Sequence, residues 1–416
     1  MTELKAEADP AEVGLDPVRL DRVDRHLRRY VDDGRLPGWL LTVSRHGRLA
    51  YVASYGARDM EAGLPVETDT LWRIYSMTKP ITSVAAMMLY EQGAFELTDP
   101  VSAFIPSFAD VRVYTGGSDL RPVTEPAVEP VRIWHLLTHT AGLTYGFHRV
   151  HPVDARYRGA GFEWGTPRGM DLAQCCDAWA DQPLLFQPGA EWNYSVATDV
   201  LGRVVEVASG QALDEFLDGR ILGPLDMTDT SFWVGEADAG RLAALYTPTP
   251  APSGPAARLD AMGRVARARP RMLSGGGGLI STAADYHRFT QMLLDRPGSP
   301  GGELDGVRLL GPRTLAYMTA NHLPGGADLE TFGRPLHAES PFRGVGFGLG
   351  FAVVIDQAAQ KTLGSVGECS WGGAASTAFW VDPAEELTAC FFTQLLPSSA
   401  TRIRSQLRQL VYQALV

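Results

Sequence analysis

Ser76-Met77-Thr78-Lys79 sets a hydroxyl and an amine three positions apart. On a helix both side chains stand on one face, so the Lys79 amine reaches the Ser76 hydroxyl. A serine hydroxyl attacks at neutral pH only when a neighbour takes its proton. A lysine in a partly dry, electropositive pocket can lose the charge that would prevent it from doing so. Taken alone, the pattern equally marks an ordinary helix start. Its surroundings favour the chemical reading: Ile81, Val84, Ala85, Met88 and Leu89 repeat at helical spacing, and Gly93 supplies a stop. The helix therefore runs to about Gln92. Pro80 is tolerated only near a first turn, which places Ser76 at the helix N-terminus, where backbone N–H groups are free and the dipole is positive.

Two further elements carry chemistry. Tyr194 stands in Asn193-Tyr194-Ser195-Val196, at a loop-to-helix start after Gln187-Pro188-Gly189-Ala190-Glu191-Trp192. A tyrosine beside a lysine can relay protons, because a nearby cation lowers its ordinary pKa of about 10. The alternative is a buried tyrosine with a bonded hydroxyl. Asn193-Tyr194-Ser195 is also a glycosylation sequon, taken as accidental in a chain without a secretory signal. Ser370-Trp371-Gly372-Gly373-Ala374 stands at the head of an expected strand. Paired glycines let a ligand or another backbone approach, so a free N–H here can serve an oxyanion; the alternative is a bulge or tight turn.

Other groups lack the spacing their chemistry needs. His135 and His139 are four apart on an expected helix but have no acidic partner beside them, so no metal is expected, and His148 and His151 fare no better. Gly275 to Gly278 lacks the Gly-Lys-Ser/Thr ending of a phosphate loop and reads as close packing. Glu368-Cys369-Ser370-Trp371-Gly372 misses the first glycine of a Gly-x-Ser-x-Gly elbow. Cys175, Cys176, Cys369 and Cys390 form no disulfide framework and read as reduced packing residues.

The elements that must position these residues follow from periodicity. Trp39 to Ser44 and Leu49 to Tyr55 flank His46-Gly47-Arg48 as a β-hairpin. From about Leu97 to Arg271 the pattern is mostly helices and long loops: Trp134 to Thr138, Leu172 to Asp181, Ala197 to Ser209 closed by Gly210, and Leu213 to Leu217. Thr247 to Arg271, rich in Pro, Ala and Arg, reads as a surface loop or return linker. Gly278 to Ser281 leads into the capping pattern Thr282-x-x-Asp285 and a helix through Leu294. Phe347 to Ile355, Ala375 to Val381 and Leu387 to Thr393 read as antiparallel strands, and Arg402 to Leu415 as a closing helix. The expected fold is α/β (α+β): residues 1–96 and 272–416 build a sheet flanked by helices, and 97–271 is an inserted helical domain.

Composition narrows the partners. The chain has 416 residues, 45% hydrophobic and 20% charged, with 48 acidic against 37 basic residues and a net charge of −11. That is ordinary globular content, and the acidic balance argues against nucleic acid or an anionic membrane as partner. Met1 to Arg19 is polar and acidic, and no run approaches the roughly 20 apolar residues of a spanning helix, so the expected location is cytoplasmic. Oligomeric state is not encoded in any pattern here.

Together the three elements, in this order, resemble the serine β-lactamase and penicillin-binding family, most closely its esterase branch, the family VIII carboxylesterases related to class C β-lactamases. The resemblance spans nearly the whole chain. It includes Leu136-Leu137-Thr138-His139-Thr140-Ala141-Gly142-Leu143, Gln187-Pro188-Gly189, Ser274 to Gly278 with Leu279-Ile280-Ser281-Thr282-Ala283, and Gly346-Phe347-Gly348-Leu349-Gly350. It implies a β-lactamase/DD-peptidase-like fold with the active site in the cleft between sheet and helical domain. It further implies that Ser76 is the nucleophile, Lys79 its activating partner and Tyr194 the tyrosine of the family's second element. Trp371-Gly372-Gly373 takes the place of the Lys-Thr-Gly box, and the oxyanion hole is formed by the N–H groups of Ser76 and Ala374.

Trp371 departs from that box. The family's lysine helps to hold a substrate carboxylate, whereas tryptophan offers an apolar wall, so a neutral ester fits better than a penicillin or a D-Ala-D-Ala peptide. Val196, where lactamases carry asparagine, removes an amide contact and points the same way. The expected activity is a serine carboxylesterase acting on small to medium acyl esters through an acyl-serine, without a cofactor, and an acyltransferase where an alcohol outcompetes water. The alternatives are an amide hydrolase of the same fold (a β-lactamase or D-amino peptidase) and a non-catalytic penicillin-binding-like protein. Among Trp134, Tyr145, Phe147, Phe162 and Trp164, the pocket residue expected is Tyr145, beside Trp371 of the box.

Overall fold

The computed structural model describes residues 4–416 except 168, 250–253, 264, 266 and 335–341. The chain ends meet in one eight-stranded antiparallel sheet. Its strands are β1 (Gly38–Arg45), β2 (Arg48–Asp59), β3 (Leu64–Pro65), β4 (Val345–Phe347), β5 (Ala352–Val354), β6 (Cys369–Gly372), β7 (Ala378–Asp382) and β8 (Leu387–Phe392). They lie in the order β4-β5-β6-β7-β8-β1-β2-β3. The central ladder pairs Leu40 with Phe392 and Val43 with Ala389, joining the first strand to the last. At the β1–β2 turn, His46 and Gly47 both have positive φ (52° and 72°), the left-handed pair that a two-residue hairpin with right-handed twist requires.

Alternation along these strands sends side chains to two layers. Trp39, Leu41 and Val43 of β1 join Val23 and Leu27 of α1 (Pro17–Asp32) in one apolar cluster. The other face meets α2 (Thr78–Glu91), α3 (Ala197–Ser209) and α4 (Ala283–Leu293) in a second cluster, which holds Leu40, Phe379, Phe392, Ile81, Val84, Val200, Tyr286 and Phe289. α5 (Ile403–Tyr412) sets Leu407 and Val411 in the first cluster. Segment 97–271 continues the second cluster through Leu136, Leu172, Trp179, Leu201 and Phe216.

Several expectations need correction. α1 is absent from the sequence-based expectation although Asp16 caps Val18 and Arg19, Pro17 opens it, and Leu20, Val23, Leu27 and Tyr30 recur at helical spacing between charged residues. Phe347 to Ile355 is two short strands: Gly350, at φ 98°, turns the chain back and gives its N–H to Leu137. A Cβ there would stand 2.2 Å from Ser83 Oγ on α2, so only glycine lets this turn approach the helix. Segment 97–271 also contains a hairpin, Arg112–Gly117 with Pro122–Pro126. Ser370 to Gly372 belongs to its own strand, β6, and β7 starts at Ala378 after a turn in which Ser376 has φ 71°. Of the expected loop Thr247 to Arg271, residues 250–253, 264 and 266 lie outside the described residues; Ala257, Arg258, Asp260, Ala261 and residues 267–269 are exposed, and Ala261, Met262 and Pro270 also line the main cavity. The four cysteines are buried and unbridged.

Candidate active site

Ser76 sits in a 3₁₀ turn, Tyr75–Met77, that runs directly into α2. The strand before it, Trp72–Arg73, pairs with Ile280–Ser281, so the glycine-rich motif is laid against the nucleophile's approach. Tyr75 has φ 42°, an uncommon conformation for a non-glycine residue, immediately before Ser76. Tyr286 Oη donates to Met77 O at 2.9 Å and Leu279 N–H to Thr78 Oγ1 at 3.1 Å, fixing the turn from below. Pro80 occupies the third position of α2, where no intrahelical N–H is lost.

Lys79 is 2% exposed. Its Nζ lies 3.2 Å from Ser76 Oγ and donates to Gly276 O at 2.6 Å. The same nitrogen stands 4.5 Å from the Tyr194 ring centroid and 5.5 Å from that of Tyr145, inside cation–π range. What Tyr194 presents to Lys79 is thus its ring face. Its hydroxyl accepts the Trp371 Nε1–H at 3.3 Å.

Tyr194 is held by backbone and rings together. His148 Nε2 meets its carbonyl at 2.7 Å, and Asn193 Nδ2 donates to Leu143 O at 2.9 Å. His139, Tyr145 and Trp371 surround the phenol ring at 5.0, 5.4 and 5.4 Å between centroids. Burial and the nearby Lys79 charge hold the His139 imidazole well below its ordinary pKa, so it packs as a neutral ring. Burial and the neighbouring Tyr194 push the Tyr145 hydroxyl well up.

The Trp371 box reaches the nucleophile through its glycines. A Cβ on Gly373 would fall 2.4 Å from Ile74 O, so β6 can lie directly on the residue before the Ser76 turn only because that position is bare. Ser76, Tyr145, Tyr194, Trp371, Gly372, Gly373 and Ala374 all line one cavity of about 1030 Å³. Phe147, Phe162 and Trp164 line it as well, in addition to the expected Tyr145. Tyr145, Phe147 and Trp164 stack at 4.6 and 4.5 Å, from beside Lys79 to a tryptophan that is 49% exposed. Trp134 instead packs at a tilt against His135, with ring centroids 3.9 Å apart.

Asp199 escaped the sequence reading. From the first turn of α3 its Oδ1 accepts Ser274 Oγ–H at 2.6 Å and Gly276 N–H at 2.9 Å. It therefore fixes the residue whose carbonyl takes the Lys79 proton donor. Burial raises its carboxyl above the usual range, and the Lys79 charge opposes that rise. Nothing in Ala197-Thr198-Asp199 distinguishes it from an acidic residue favouring a helix start. His135 and His139 hold separate duties: His135 Nδ1 accepts Arg132 N–H, and His139 Nδ1 meets Ser195 Oγ.

An antiparallel sheet with a serine at the head of a helix, its lysine within reach and a roomy cleft above, defines a serine hydrolase built on the penicillin-binding plan. The chain belongs to the Beta-lactamase family, which matches residues 23–413. It is 34% identical to esterase EstB of Burkholderia gladioli over 410 residues, covering 93% of this chain and 94% of that protein. Lovastatin esterase of Penicillium rubens is 28% identical, covering 88% of this chain and 90% of its own length. Among solved structures, EstCE1, a hydrolase with promiscuous acyltransferase activity, superposes with a TM-score of 0.76 at 29% identity, covering 95% of this chain and 99% of that one.

Proposed function

We propose that this chain is a serine carboxylesterase that hydrolyses small to medium acyl esters through an acyl-Ser76 intermediate, with acyl transfer to alcohols as a side activity. The observation that carries this is Ser76 Oγ 3.2 Å from a buried Lys79 Nζ in an aromatic cavity where Trp371 stands at the box position. The names of EstB, lovastatin esterase and EstCE1 support the ester and acyl-transfer chemistry.

In the first step the Ser76 proton passes to the Lys79 and Tyr194 pair, with Lys79 Nζ 3.2 Å from Ser76 Oγ and anchored on Gly276 O. Ser76 Oγ bonds to the ester carbon, and the carbonyl oxygen becomes an oxyanion held by the Ser76 and Ala374 N–H groups. Tyr194, whose oxygen already accepts from Trp371, returns the proton that Ser76 gave to the pair to the departing alcohol. Water repeats the sequence on the acyl-enzyme. General acid–base transfer supplies a factor of roughly 10² to 10⁴, and each oxyanion donor about 3 kcal/mol. Trp371 gives a carboxylate-bearing β-lactam no cation at the box position, which separates this reading from an amide hydrolase. Placement among the family VIII carboxylesterases, a cytoplasmic site of action and the absence of nucleic-acid or membrane partners belong to the same proposal. The net charge of −11 supports it, and among the described residues no helix is long and apolar enough to cross a membrane.

The test is a panel of p-nitrophenyl esters run beside nitrocefin on the parent and on Ser76→Ala. The parent turns over acetate to octanoate esters and not nitrocefin, and Ser76→Ala loses at least about 10³-fold in kcat with an unchanged melting temperature. Nitrocefin turnover exceeding that of the esters, or residual esterase activity in Ser76→Ala, overturns the reading.

A further inference from the structure

Arg404, in the first turn of α5, lies far in sequence from every motif above, yet it lines the same cavity. Its Nη2 donates to Gly373 O at 2.6 Å and to Thr377 O at 2.7 Å. Those two carbonyls bracket the turn between β6 and β7. Thr377 O also accepts Gly373 N–H at 2.9 Å, and Gly373 O also accepts Ser376 N–H at 3.1 Å. One guanidinium thus ties together a turn that already closes on itself.

The two glycines of the box are explained by this arrangement. A Cβ on Gly372 would stand 2.6 Å from Arg404 Cζ, and a Cβ on Gly373 would strike Ile74 O. Gly372 makes room for the guanidinium on one side, and Gly373 makes room for the nucleophile's turn on the other.

The Gly373 carbonyl and the Ala374 N–H belong to one planar peptide, so holding the oxygen fixes the direction in which the hydrogen points. A cation bonded to that carbonyl also draws electron density out of the amide and makes its N–H a stronger donor. We infer that Arg404 is a positioning residue for ester hydrolysis: it locks and polarises the Gly373–Ala374 peptide so that the Ala374 N–H faces the oxyanion. This rests on the reading of Ser76 and Ala374 as the oxyanion donors. Arg404 touches no reacting atom; it acts through the peptide it holds, and its effect belongs to the transition state because the oxyanion exists only there.

The experiment compares Arg404→Ala, Arg404→Lys and Ala374→Pro with the parent on p-nitrophenyl butyrate, and measures the rate at which an alkyl phosphonate labels Ser76. Arg404→Ala should lose about 10- to 100-fold in kcat with KM within about threefold, and phosphonylation should slow by the same factor. Millimolar guanidinium should restore part of the kcat of Arg404→Ala. Arg404→Lys, which keeps the charge but not the planar fork, should fall between the two and carries the test if the alanine variant does not fold. A kcat within threefold of the parent, or a loss confined to KM, overturns the inference. Ala374→Pro removes the N–H itself: if it still turns over like the parent, the oxyanion reading fails. If it is inactive while Arg404→Ala is not, only the role of Arg404 fails. Should Ala374→Pro not fold, a phosphonate-trapped crystal structure decides, with the phosphoryl oxygen expected within about 3 Å of Ala374 N.

Discussion

Trp371 Nε1 points its hydrogen at Tyr194 Oη from 3.3 Å, with the two ring centroids 5.4 Å apart. The residue that replaces a box lysine is therefore more than a wall: it occupies one lone pair of the phenol oxygen. The Tyr194 proton is left free to face the cleft.

Trp371→Phe keeps the apolar surface and deletes the donor. A neutral hydrogen bond of about 0.5–1.5 kcal/mol translates to a fall in kcat of roughly 2- to 12-fold, with KM nearly unchanged. In a Tyr194→Phe background the same change should cost no further kcat, because the acceptor is already gone. Steady-state kinetics on the four variants of this cycle check both statements, and additive losses would detach Trp371 from the tyrosine.

Asp285 makes stability depend on pH. Its carboxylate, 5% exposed, accepts from Thr230 Oγ1 at 2.7 Å and from Asp229 N–H at 2.9 Å, yet burial pushes it up to about 6. A carboxyl raised in the folded state favours the protonated form there, so its contribution is fully present below about pH 4 and is lost as pH rises through 6. The loss is on the order of 3 kcal/mol. His135 and His287, both pushed down to about 4 by burial, act in the opposite direction over the same window. The difference in unfolding free energy between Asp285→Asn and the parent isolates the carboxyl, and it should shift in favour of asparagine between pH 4 and 6. A flat difference would show that Asp285 titrates normally.

Gly350→Ala tests the turn that seats β4 and β5 on α2. The new methyl group would meet Ser83 Oγ at 2.2 Å on a backbone with φ 98°. Combined strain and clash should destabilise by about 2–4 kcal/mol, seen as a melting temperature lowered by about 5 °C or more. Serine labelling by a phosphonate, normalised to folded protein, should remain near the parent value, since Gly350 lines no part of the cavity.

Parts of the fold were legible because they are written in local periodicity. Ala197–Ser209 with its Gly210 stop and Leu213–Leu217 appear with the expected bounds, and Thr282 caps α4 as its spacing suggests. Helix α1 was equally legible, through the Asp16-Pro17 start and Leu20, Val23, Leu27 and Tyr30 at helical spacing; only the face it covers, around Trp39 of β1, needed the structure. The single strand expected over Phe347 to Ile355 failed because Gly350 answers to Ser83 on α2 and Gly348 to the Met318 carbonyl, contacts that no local pattern contains.

The sequence by itself determined the chemical inventory: Ser76 and Lys79 on one helical face, a tyrosine at a loop end, and a glycine pair beside Trp371. Those follow from backbone geometry within a few residues. The tertiary structure alone decided what each group does to the others. It turned the Tyr194 ring rather than its hydroxyl toward Lys79, tied Asp199 to the N–H of the residue whose carbonyl anchors that lysine, and brought Arg404 onto the Gly373 carbonyl. Such contacts join segments tens to hundreds of positions apart. They depend on how helices and sheet pack, and packing leaves no periodic trace in the chain.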